Sequence, residues 1–68
     1  MTCEEFVKRA QAVAQAAEVA VLEVRYEPTT AGTVAEFRAE QARRTDVIAE
    51  IIAGASRAIV ALGEQVTP

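Results

Sequence analysis

The chain has 68 residues, a formal net charge of −3, one cysteine and no histidine, and it is 51% hydrophobic but only 4% aromatic. That composition excludes an intramolecular disulfide and the usual Cys/His zinc sites, and it lacks the clustered Lys and Arg that sequence-independent binding to phosphate backbones requires, so nucleic acid is not an expected partner. At this length one apolar core barely offsets chain entropy, which leaves oligomerisation as the available staple of a single small helical domain over residues 1–68.

Met1 is followed by Thr2, Cys3, Glu4 and Glu5, not by the basic start of a secretory signal, so a cytoplasmic location is expected. Thr2 and Glu5 have capping-box spacing, and Glu4 and Glu5 suit the positive end of a helix dipole. From there Phe6, Ala10, Val13, Ala17, Ala20 and Val24 follow a 4-3-4-3-4 rhythm, widened by Val7, Ala14 and Val21. Together with the i,i+4 pairs Glu4/Lys8 and Glu5/Arg9, this predicts a helix over about residues 3–26. Its last part, VAVLEVRYE at residues 19–27, is β-branched and aromatic enough to suit a strand, so an α+β arrangement with a strand at about 19–27 is the alternative. A lone strand would need a partner from another chain to satisfy its ladder groups.

Pro28 to Gly32 is the clear break: proline disfavours helical geometry at Glu27, and Gly32 tolerates a positive φ. Thr33 with Glu36 forms a second T-x-x-E signature, placing the next helix at about residues 34–63, with Gly63 as C-terminal cap and residues 65–68 as a short tail. At 1.5 Å per residue the second helix is ~45 Å long against ~35 Å for the first. The ends of an antiparallel hairpin are therefore not expected to match.

The second helix changes character partway. EFRAEQARRTD, residues 36–46, is highly charged, with Glu40 placed to pair with Arg44. Arg38, Arg43 and Arg44 with Gln41 could form a basic patch, but interleaving with Glu36, Glu40 and Asp46 reads as a solvated, mutually neutralised face. In DVIAEIIAGASRAIVALGE, residues 46–64, the charges Asp46, Glu50, Arg57 and Glu64 fall near one stripe, and the rest of the circumference is apolar or small. Residues 47–62 fall short of the ~20 that cross a bilayer and include Glu50 and Arg57, so a membrane span is not expected. One Ala-lined partner helix cannot cover that much surface. The interface expected against other chains comprises Val47, Ile48, Ile51, Ile52, Ala55, Ala58, Ile59 and Leu62. Gly54, with Ala55, Ser56 and Ala58 nearby, suits close helix packing and could alternatively mark a hinge. Glu50 and Arg57 are placed to pair between chains and fix register.

No chemistry is visible. Cys3 lies in the first turn of a helix, but Glu4 and Glu5 oppose a thiolate. There is no histidine base, no nucleophile elbow and no carboxylate pair free of interleaved arginines. Neither an enzyme nor a cofactor or metal site is expected.

In overall length, the Pro28-containing turn between two helices and the apolar carboxy-terminal helix, the chain is similar to the small hairpin subunits of bacterial secretion needles and inner rods. The similarity covers layout only, and the second turn proline common in needle subunits is missing. It implies a filament subunit, exported without a cleavable signal. The expected fold is thus an all-α antiparallel helical hairpin assembling into a homo-oligomeric helix bundle. The expected function is a non-enzymatic self-association or assembly module whose partner is itself, with another helical protein as a further possibility. A small acidic regulator or inhibitor, antitoxin-like or phage-encoded, is the alternative of a different class.

Overall fold

Thr2 opens the first helix with both halves of the capping box: its hydroxyl accepts from the Glu5 N–H at 3.1 Å, and the Glu5 carboxylate reaches back to the Thr2 N–H at 3.5 Å. In the computed structural model, which describes residues 1–67, α1 runs over Cys3–Arg25 and α2 over Val34–Gly63. The two pack as an antiparallel, all-α hairpin. There is no strand among the described residues, and in the helical segment at 19–25 Ala20 and Val24 continue the row that faces α2. Tyr26 caps α1, one residue short of the predicted end.

The second start departs from its signature. Thr33 accepts from the Glu36 N–H at 3.1 Å, but the Glu36 carboxylate takes the N–H of Gly32, one residue before the cap, at 2.9 Å. Gly32 therefore serves by its free donor and not by a left-handed backbone, since no glycine has a positive φ. Gly63 is likewise no cap of the expected kind. It is the last residue of α2, followed by right-handed Glu64 and by two i→i−3 bonds, Gln65 N–H to the Leu62 carbonyl at 3.0 Å and Val66 N–H to the Gly63 carbonyl at 3.2 Å.

The helices differ in length as expected, 23 residues against 30, and α1 ends short of the start of α2. The connecting segment makes up the difference by running as a strap along the first three turns of α2. Glu27 pairs with Arg43 at 3.6 Å, Pro28 accepts from Arg44 at 3.3 Å, and the Thr29 hydroxyl donates to Glu40 at 2.8 Å. At the other end the Met1 nitrogen donates to the Gln65 carbonyl at 3.2 Å, and the Thr67 N–H donates to the Met1 carbonyl at 3.1 Å. The short tail expected at residues 65–68 thus folds back on the start of α1; Pro68 lies outside the described residues.

The result is a rod two helices wide. Its radius of gyration is 16.3 Å, against about 11 Å for a compact domain of this length. Phe6, Ala10, Val13, Ala17, Ala20 and Val24 are all half-covered and face α2, as their rhythm predicts. Yet not one apolar side chain among the described residues is buried. Among the described residues the one that is buried is Arg44, 7% exposed. This overturns its reading as part of a solvated face, because the strap closes over it.

Candidate functional site

Two helices side by side cover one strip of each other and leave two broad faces. Helical spacing places the charges of α2 at Asp46, Glu50, Arg57 and Glu64 nearly opposite the row that meets α1, on the outer edge of the hairpin. One broad face carries an apolar groove of about 420 Å³, walled on α1 by Ala14, Val21 and Leu22 and on α2 by Ile52, Ala55 and Ile59. Glu18 and Arg25 stand on its α1 rim, and Ser56 is the polar residue of the α2 wall.

The eight residues expected to meet other chains divide by this geometry. Val47, Ile48, Ile51, Ala55, Ile59 and Leu62 are half-covered, and Ile52 and Ala58 are exposed. Ile52, 54% exposed, projects at the groove. Ala58 lies on the strip between the inner row and the charged stripe, away from the groove. The apolar half of α2 is therefore only partly clothed by α1, as the Ala-rich first helix implies. Leu22, 41% exposed, extends the uncovered surface onto α1.

Sequence reading missed the α1 half of this surface. Val7, Ala14 and Val21 stand out only as a widening of the inner row. In the fold they form, with Gln11, Glu18 and Arg25, a second 4-3-4-3-4 row turned toward the groove side. The signal was present but masked, because this row is half polar and so reads as surface.

Gly54 is not a point of close approach within the hairpin. A Cβ built there would meet only Arg57 Nη2 of its own helix, at 3.8 Å, and α2 continues through it without a break. At Gly63 the nearest neighbour would be the Phe6 ring at 3.8 Å. Cys3 is exposed and unpaired. Arg38 and Gln41 are exposed too, so the proposed basic patch is divided: Arg43 is taken by Glu27 and Arg44 by Glu40, and Arg38 alone stands clear of the strap.

The Arg44 cluster is the most constrained polar site. Its guanidinium pairs with Glu40 and donates to the Pro28 carbonyl, and its Nε–H is buried without a partner. The Glu40 carboxyl is held below its ordinary value by the Thr29 hydroxyl first and then by the charges of Arg44 and Arg43, against a partial desolvation that works the other way. All of its ligands are structural groups of the strap and α2, so the cluster ties the turn to the second helix.

No helix among the described residues is long and apolar enough to cross a membrane. Comparison with protein-family models, curated proteins and solved structures finds no match to this chain.

Proposed function

We propose that the chain is a non-enzymatic self-association module, a helical hairpin that covers the apolar face of its second helix with other chains. The supporting observation is the absence of any buried apolar side chain among the described residues of a chain that is 51% hydrophobic. Burial of apolar area is the main favourable term in folding, at about 25 cal/mol per Å², and a hairpin that buries no residue fully collects little of it. The accessible surface of 5095 Å² exceeds the ~4,200 Å² of a compact 7.3 kDa monomer by about 900 Å², close to the ~800 Å² that each partner contributes to a standard interface.

The test is mass by light scattering together with helicity by circular dichroism, over a wide concentration range. A self-association module gives an oligomer whose dissociation on dilution is accompanied by loss of helix. A closed dimer supports a bundle, and growth into large species supports a filament like the needle subunits that the layout resembles. A monomer that stays helical at every dilution overturns the reading and leaves the small acidic regulator, whose groove would take a partner's helix.

A further inference from the structure

We infer that the groove takes a second copy of this chain, related by a two-fold axis that crosses the helices between Val21 and Leu22, so that Glu18 of each protomer faces the partner's Arg25. The inference rests on the self-association reading and adds to it the face, the symmetry and the register.

The charges on the groove carry it. Glu18 and Arg25 are the anion and the cation among its lining residues, both on α1 and two helical turns apart. Among the described residues the ion pairs are Lys8 with Glu4, Arg9 with Glu5, Arg43 with Glu27 and Arg44 with Glu40, so neither rim charge is engaged within the hairpin. An isologous contact makes each pairing twice: if residue i of one protomer meets j of the other, j also meets i. In antiparallel helices the paired positions add to a constant. Setting 18 against 25 therefore sets 21 against 22, and the apolar side chains Val21 and Leu22 meet at the axis between two ion pairs. A head-to-tail contact joins two unlike surfaces and leaves this self-match unused.

The same axis is central on the other wall. Gly63 stands against Phe6, which in an antiparallel pair puts Val21 and Leu22 level with Val47 and Ile48, the middle of α2, which spans Val34–Gly63. A two-fold at that level stacks α2 on the partner's α2 over nearly its whole length and sets residues 18–25 of α1 on the same segment of the partner's α1. It brings Ile52, 54% exposed and about one helical turn from the axis, under the partner's α2. The ~900 Å² of surface in excess of a compact monomer matches one side of such an interface. The charged stripe of α2, including Glu50 and Arg57, then stays in solvent on the outside.

Sedimentation equilibrium of the full chain and its charge variants tests this. Glu18→Arg and Arg25→Glu, taken singly, each set like charges against each other twice and are expected to weaken the dimer about tenfold or more. The double exchange Glu18→Arg, Arg25→Glu is expected to return affinity to within about threefold of the parent. Circular dichroism at high concentration checks that each variant is helical. As a second readout, Leu22→Cys in a Cys3→Ser background is expected to form a disulfide-linked dimer on mild oxidation, and Val60→Cys in the same background is not. A parent chain that is monomeric and helical throughout overturns the self-association reading itself. A parent that associates while the single reversals leave affinity unchanged, or while the exchange fails to restore it, overturns only this register. Rescue by exchanging Glu50 and Arg57 instead would put the interface on the charged edge and overturn the groove.

Discussion

Arg44 donates to the carbonyl of Pro28 at 3.3 Å, a contact between the third turn of α2 and the connecting segment sixteen residues earlier. With the Glu40 pair and the Thr29 hydroxyl on that same carboxylate, it converts what would be a loose connection into a strap laid along α2. The buried cation is thus the keystone of the turn end, in a fold with no buried apolar side chain among the described residues.

Removing one member of such a pair costs more than removing both, because the survivor is left shielded and unpaired. Arg44→Ala is expected to lower stability by about 2 kcal/mol, part of it from the lost packing of the arginine stem. Arg44→Lys is expected to lose less, since it keeps the charge beside Glu40 and removes an Nε–H that is buried without a partner. The double change Arg44→Met, Glu40→Met is expected to recover most of the loss. Urea unfolding at one fixed protein concentration measures all three, and a double variant no better than Arg44→Ala would show that the pair is not the organising contact.

The Glu40 carboxyl is depressed below its ordinary value of 4.5, chiefly by the Thr29 hydroxyl. A carboxyl that is lower in the folded state favours folding at pH values above the unfolded value, and that contribution disappears as pH falls through the folded value. The parent is therefore expected to lose stability progressively below about pH 4.5, and Glu40→Gln is expected to lose less over that window. Thr29→Val is expected to move the Glu40 titration upward, read directly from its side-chain carbon chemical shift. A Glu40 titration unaffected by Thr29→Val would remove the hydroxyl as the dominant cause.

Much of this fold is legible in the sequence because its signals are local. Thr2 and Thr33 announce the two helix starts, and the Phe6 to Val24 row announces the inner face. What was hidden depends on pairing distant segments. Arg44 reads as one more surface arginine in a charged run, and only the strap from Glu27 to Thr29 buries it. The strap also makes up the length difference, since extended chain covers the additional turns of α2 that α1 does not reach. Gly63 and Gly32 mislead for a related reason: their backbone freedom is not used, and the orphan groups beside them are satisfied by i→i−3 bonds and by the Glu36 carboxylate.

Gly54 offers a check on which face is covered. Alanine is better than glycine inside a helix by about 1 kcal/mol, and a Cβ at this site meets nothing nearer than Arg57 Nη2 at 3.8 Å. Gly54→Ala is expected to raise stability by up to about 1 kcal/mol and to leave association unchanged, because the position lies away from the groove. Thermal unfolding and sedimentation measure the two quantities separately. A variant that is more helical but associates poorly would mean that a partner helix passes close to Gly54, and that the small residues around it form the contact.

Ile52 and Val60 are both exposed, at 54% and 63%, but point in different directions. Ile52 lines the groove, whereas Val60 lies one residue beyond Ile59 and turns outward from it. An aspartate in an apolar interface must be desolvated without a partner, which costs several kcal/mol, and one that remains in water costs almost nothing. Ile52→Asp is therefore expected to abolish self-association at micromolar concentration and, with it, most of the helicity, since the separated hairpins have no buried core to hold them. Val60→Asp is expected to leave both within about twofold of the parent. Equal loss from both substitutions would mean that α2 is covered on two sides, as in an open filament, and equal indifference would mean that the apolar surface of this hairpin is not where chains meet.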